Sequence, residues 1–139
     1  QSLIKSVTHA DGTVATPQEG SSTRVIDESV ADQVKNAMES VAEGYSKVVN
    51  VKGYRIAAKT GTAEVAGSDG RLTSIVADFA GMIPADNPRF AITVIMKDPQ
   101  GTYGGMTASP VFAKIGEFLM QKYNVPTSSP RNDAIAVDW

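Results

Sequence analysis

The sequence contains no cysteine, one histidine and one tryptophan among its 139 residues. Without cysteine there is neither a disulfide framework nor a thiolate to act as nucleophile or ligand, and the chain suits any redox compartment. One histidine beside no cysteine leaves no ordinary zinc ligand set, so we expect no metal and no cofactor. An excess of one charge is missing too: 13 basic residues, scattered singly or in pairs, stand against 15 acidic ones for a formal net charge of -2. Nucleic acid binding needs a basic stripe or cluster, so nucleic acid is not an expected partner. No apolar run approaches the roughly 20 residues of a membrane span, and no charged start with an apolar stretch behind it marks a secretion signal. Any membrane anchor is therefore expected outside this chain.

What is present suits one ordinary globular domain: 42% hydrophobic residues, 20% charged, and no internal repeat. Leu3 to Val7, an Asp11-Gly12 turn and Thr13 to Thr16 read as a hairpin, with His9 on its surface. Pro17 to Thr23 is a polar connection. Asp27 suits an N-cap, and Val30, Val34, Ala37, Met38 and Val41 recur at helical spacing, predicting a helix over 28–43 with its apolar stripe on the core and Gly44 as a left-handed terminator. A strand is expected from Tyr54 to Ala63, a turn at Gly67-Ser68-Asp69-Gly70, and an antiparallel return from Ser74 to Met82. Pro84 to Pro88 interrupts, and Phe90 to Met96 is apolar on both alternating faces, the pattern of a central strand covered on both sides. After a glycine-rich loop, Asp98 to Gly105, Pro110 fits a first helical turn, with Val111, Phe112, Ile115, Phe118 and Leu119 carrying a second helix to about Tyr123. Met38, Met96 and Met120 read as core filler, and Arg55 and Lys97 as solvated. Proline, serine and asparagine dominate beyond Pro126.

The chemistry concentrates at Lys59-Thr60-Gly61-Thr62. Period-two alternation puts Thr60 and Thr62 on one face and Lys59 and Gly61 on the other, so two hydroxyls present together beside a buried-side ammonium. Gly61 removes a side chain where another group can approach the backbone. The combination suits an anionic substrate with an acyl group. A phosphate loop is a poorer reading, because Ala58 stands where a Walker pattern needs glycine and a strand continues where it needs a helix. Gly101, Gly104 and Gly105 lack the spacing and the βαβ setting of a dinucleotide loop.

The string Gly53-Tyr54-Arg55-Ile56-Ala57-Ala58-Lys59-Thr60-Gly61-Thr62-Ala63-Glu64 closely resembles the third active-site motif of class B penicillin-binding proteins, the division-type peptidoglycan D,D-transpeptidases. Asp78-Phe79-Ala80-Gly81-Met82-Ile83-Pro84, the strand Phe90 to Met96, Tyr103-Gly104-Gly105 and Ala108-Ser109-Pro110-Val111-Phe112 are similar to that family in order and spacing. The resemblance implies an α+β fold of the β-lactamase/transpeptidase type, an antiparallel sheet covered by helices on both faces and incomplete in this chain. Residues 1–123 would be the C-terminal portion of the transpeptidase domain and 124–139 an extended tail. It implies a serine enzyme that cross-links D-Ala-D-Ala stem peptides through an acyl-enzyme, is a target of β-lactam antibiotics and serves cell division at the extracytoplasmic face of the bacterial cytoplasmic membrane. A D,D-carboxypeptidase or β-lactamase, or a non-catalytic sensor or interaction fragment of the same fold, is the alternative. By the resemblance Lys59 supports the proton network around the nucleophile, and Thr60, Gly61 and Thr62 bind substrate through its terminal carboxylate. The Thr62 backbone N–H is expected as one oxyanion donor, and Tyr103 lines the substrate rim.

The chain departs from the family in two respects. Ser2-Leu3-Ile4-Lys5 has the Ser-x-x-Lys form but opens a strand-like run where the family's serine opens a buried helix far upstream, and no Ser-x-Asn occurs. The nucleophile is therefore expected from an upstream part of the same transpeptidase, which would also supply strands beside Phe90 to Met96. The chain alone is expected to be inactive.

Overall fold

The three β-rich runs form one antiparallel sheet, and two amphipathic segments become the helices that support it. In the structure, a computed structural model, residues 5–16, 23–99 and 103–136 are described. β1 (Val7–Thr8) and β2 (Val14–Ala15) make an exposed two-stranded hairpin. Its Asp11 carboxylate accepts from the Thr13 N–H and hydroxyl, and Gly12 takes the positive φ the turn requires. Ser2 lies outside the described residues, as does Trp139.

α1 (Glu28–Gly44) begins after Asp27, whose backbone is extended as an N-cap's is, although its side chain makes no capping bond. Gly44 is the last helical residue and not a left-handed terminator; Tyr45 closes the helix at φ -98°. The expected apolar stripe is not on the core. Val30 and Val34 are exposed, Val34 at 52%, while the buried positions are Glu39, Ser40 and Ala42. Helical period alone cannot say which face a helix buries, and here the polar face is claimed by arginines.

β3 (Ala57–Ala66), β4 (Leu72–Ile83) and β5 (Phe90–Lys97) follow in the order β3-β4-β5. β3 starts three residues later than predicted because Tyr54 is held in a tight turn: Gly53, at φ 86°, lets the Tyr54 N–H reach the Val51 carbonyl. The turn at 67–71 closes the β3–β4 hairpin with a bulge at Val65/Ala66. The Ile83–Pro84 peptide is cis. Residues opposite one another in register share a face. Thr60, Phe79 and Val94 therefore lie together on the covered face, and Gly61, Asp78 and Ile95 on the other.

α2 (Gly104–Lys122) packs on β4 and β5 and reaches the active end of β3. It starts six residues before Pro110, which sits inside the helix rather than in its first turn. The helix ends in a Schellman arrangement: Asn124 takes φ 47°, its N–H donates to Gln121, and the Val125 N–H donates to Met120. The core gathers Phe79, Ile83, Ile92 and Val94 from the sheet with Ala108, Phe112 and Met120 from α2. Phe79 and Phe112 meet edge to face, centroids 5.0 Å apart; burying two such rings stabilises the sheet–helix contact by several kcal/mol, at about 25 cal/mol per Å². Met120 is fully buried, whereas Met38 and Met96 are half-buried.

Only one face of the sheet is covered within the described residues. Ala91, Thr93 and Ile95 of β5 are exposed, Ile95 at 68%, which corrects the expectation that both faces of this strand are buried here. The outer edge of β5 pairs with no described strand.

Over residues 125–136 the chain runs back without helix or strand across α1 and the entry to β3. Tyr54 donates its hydroxyl to the Val125 carbonyl at 2.6 Å, the Ser128 N–H donates to the Gly53 carbonyl, and the Arg55 N–H donates to the Ser128 hydroxyl. Arg131, its side chain 6% exposed, donates to Ser40 and to the Asn36 carbonyl and amide oxygens, with Nη1 2.8 Å from a Glu43 oxygen. Glu39 is held between Arg55 and Arg131. Arg55 is thus a partner in a buried pair, not a solvated side chain; Lys97 is exposed as predicted.

Candidate active site

Among the described residues β3 is an edge strand, bonded only to β4, and its first half carries the motif. Ala57 and Ala58 are fully buried, so the strand enters the core before it surfaces at Lys59. Lys59 is exposed; the ammonium is not on a buried side. Its Nζ donates to the Thr60 carbonyl at 2.9 Å and to the Thr60 hydroxyl at 3.3 Å. The Thr60 methyl lies on the far side, against the backbone of Gly105. With methyl inward and hydroxyl outward, Thr60 and Lys59 present an O–H and an ammonium at one spot on the surface.

Thr62 is tied to a different element. Its hydroxyl oxygen accepts from the Gly104 N–H at 3.3 Å, so the first turn of α2, which has no side-chain cap of its own, is satisfied from the motif strand. Tyr103, just before this turn, is 64% exposed. The structure thus brings Lys59, Thr60 and Thr62 together and sets Tyr103 beside them along the chain.

Gly61 has two close neighbours. On the open face the Asp78 carboxylate occupies the space a Cβ would take, with Cγ only 2.7 Å from that position. On the other side Gly104 is packed so closely that a Cβ there would stand 2.5 Å from the Gly61 carbonyl oxygen. A Cβ on Gly105 would meet the Tyr45 ring at 2.8 Å and the Thr60 methyl at 3.2 Å. The sequence reading leaves Gly104 and Gly105 in a loop and gives Asp78 and Tyr45 no role; the adjacent glycines were the available signal, since two residues without Cβ are what lets a helix end touch a strand's backbone.

Among the described residues no group of three His, Asp or Glu side chains could hold a metal ion. No described helix is long and apolar enough to cross a membrane. What the motif can do chemically is bind an anion, with two hydroxyls and an ammonium on an accessible strand edge.

Residues 2–117 match the family model described as the penicillin binding protein transpeptidase domain. The chain is 44% identical over 107 residues to peptidoglycan D,D-transpeptidase FtsI of Escherichia coli K12, an alignment covering 73% of this chain and 18% of that protein. Its fold is similar to a peptidoglycan synthetase from Bifidobacterium adolescentis, with 65% identity, a TM-score of 0.78, and 97% of this chain and 25% of that one covered. It is likewise similar to penicillin binding protein 3 from Mycobacterium tuberculosis in complex with ampicillin, with 30% identity, a TM-score of 0.72, and 95% and 32% covered. The chain therefore spans under a fifth of the E. coli relative and at most a third of the two solved chains. An antiparallel sheet backed by α2, a Lys-Thr-Gly-Thr strand edge and the match over residues 2–117 agree: the chain belongs to the penicillin-binding protein transpeptidase family.

Proposed function

We propose that this chain forms one wall of the active site of a serine D,D-transpeptidase that cross-links peptidoglycan stem peptides and is acylated by β-lactams. The observation that carries this reading is the convergence of the Lys59 ammonium and the Thr60 hydroxyl, 3.3 Å apart, on the exposed edge of β3. The D-Ala-D-Ala terminus of the donor peptide offers a carboxylate to the Thr60 and Thr62 hydroxyls, with the Lys59 charge beside them. A serine supplied by a Ser-x-x-Lys segment of the same protein attacks the penultimate carbonyl, and the Thr62 N–H donates to the oxyanion, a contribution of roughly 3–4 kcal/mol in related acyl transfers. The terminal D-Ala leaves with the proton lost by the serine. An amine of a neighbouring stem then displaces the serine, two easier steps replacing one hard one. Similarity to FtsI supports a role in cell division, at the outer face of the cytoplasmic membrane with the anchor elsewhere in the protein. Tyr103 borders the substrate.

The test joins this chain to its Ser-x-x-Lys segment and exposes it to a fluorescent penicillin, then to a stem-peptide donor with an amine acceptor. Covalent labelling and transfer to the amine are expected, with labelling reduced at least tenfold by Lys59→Ala or Thr60→Val. A protein that folds but takes no label overturns the enzyme reading, and hydrolysis without transfer replaces it by a carboxypeptidase.

A further inference from the structure

The two motif hydroxyls have different neighbours but the same hydrogen-bond state. A hydroxyl has one proton to give and two lone pairs to receive. The Thr60 oxygen receives from Lys59 Nζ and the Thr62 oxygen from the Gly104 N–H. In each case the acceptor side is engaged and the proton remains to be given. The side of Thr60 away from solvent is fixed as well, because its methyl is packed against Gly105, with the Tyr45 ring against the same glycine. Three elements thus meet at one junction: the end of α1 through Tyr45, the motif strand, and the first turn of α2.

We infer that Gly104 and Gly105 are positioning residues for the anion subsite: the Gly104 N–H turns the Thr62 hydroxyl into a donor, and the missing Cβ of Gly105 seats the Thr60 methyl so that its hydroxyl faces outward. The inference rests on the transpeptidase reading and adds to it the reason why this helix starts on two glycines. Backbone crowding makes the requirement strict at the first of them. A Cβ at Gly104 would meet the Gly61 carbonyl at 2.5 Å and the Asp78 N at 3.0 Å, so α2 must retreat from β3 and the bond to Thr62 must lengthen. At Gly105 the obstacles are side chains, Tyr45 and Thr60, which can move.

The effect belongs to the substrate's carboxylate and not to the attacking serine, which gives a readout that a general loss of order would not produce. Acylation rates are measured for a penicillin and for its methyl ester, in the protein that also carries the Ser-x-x-Lys segment. The wild-type protein should favour the acid; Gly104→Ala should lower acylation by the acid about tenfold and by the ester hardly at all, the weight of one well-placed hydrogen bond to a charged group. Thr62→Val should do the same, and the double variant should be no worse than either single one, because both break one bond. If Gly104→Ala does not fold, Gly105→Ala carries the test with the same selective loss of the acid. An acid-to-ester ratio that stays at the wild-type value in the folded variants overturns the positioning role. A wild-type protein that is not acylated at all overturns the transpeptidase reading beneath it.

Discussion

A methyl group added at Gly61 and one added at Gly81 would meet different obstacles. At Gly81 the neighbours are the Ala57 carbonyl at 2.7 Å and Ala58 Cβ at 2.6 Å, main-chain and first side-chain atoms that cannot turn away. Gly81→Ala should cost about 1–3 kcal/mol, the ordinary penalty of overpacking. At Gly61 the obstacle is the Asp78 side chain, which a second substitution removes. Gly61→Ala should therefore regain most of its lost stability when combined with Asp78→Ala, whereas Gly81→Ala should gain nothing from it. Denaturant midpoints of the four variants, made in the protein that also carries the Ser-x-x-Lys segment, check this, and equal behaviour of the two glycines would contradict it. The alternation of threonine and lysine side chains was legible from spacing alone. The exposure of the ammonium was not, because a strand at a sheet's edge exposes residues that a central strand would cover.

At the scale of elements, the charged cluster on α1 decides which face the helix buries. Glu39, 4% exposed, lies between the Arg55 and Arg131 guanidiniums. Replacing it by Gln removes the anion they share while Glu43 and Asp133 remain beside them, so about 1–3 kcal/mol of stability should go with it, measured by chemical denaturation of the protein that also carries the Ser-x-x-Lys segment. Arg55 is held more firmly protonated by its bonds to Glu39, so its charge does not respond to pH near neutrality. Asp86 does respond in acid. Burial raises its pKa, but the Ser128 hydroxyl, the Ser129 N–H and the Arg55 charge outweigh this and hold it below the ordinary 3.8. A carboxylate with a lowered folded pKa contributes stability above its unfolded value and loses it as pH falls through the folded one. Release of the segment around Ser128 is thus expected below about pH 4, followed by protease sensitivity at 125–130, and Asp86→Asn should make that sensitivity independent of pH. The same scale explains what the sequence reading got wrong about α2. Pro110 is a good first-turn residue, yet the helix starts at Gly104 because Thr62 caps it from another strand. No local pattern records a cap supplied from 42 residues away. The paired runs of the sheet, by contrast, were readable because pairing follows their own alternation.

Across the whole molecule, the exposed stripe of Val30 and Val34, the open sheet face with Ile95 and the unpaired edge of β5 all lack cover among the described residues. An apolar surface of this kind associates with other copies or stays loosely packed. The chain by itself should bind a hydrophobic dye, melt without a sharp transition and take no fluorescent penicillin. A cooperative calorimetric peak from the isolated chain would refute this. The family resemblance led to an expectation of further strands beside Phe90 to Met96. It did not show that α1 needed covering too, since its stripe looked like a core face and nothing local marked Arg131 as the residue that would claim the opposite side.

The returning segment from Val125 onward has one further consequence. Apart from Val125, it is held by hydrogen bonds and ion pairs, and these join residues up to 97 positions apart, as between Asn36 and Asp133. Covalent attachment keeps it at a high local concentration next to α1 and Arg55. Cut after Asn124, residues 125–139 become a separate ligand whose binding reports, through Arg55, on the strand that carries Lys59. Salt screens its exposed contacts, such as that of Asp133 with Arg55, more than the buried one between Arg131 and Glu39, so ionic strength loosens the segment only in part.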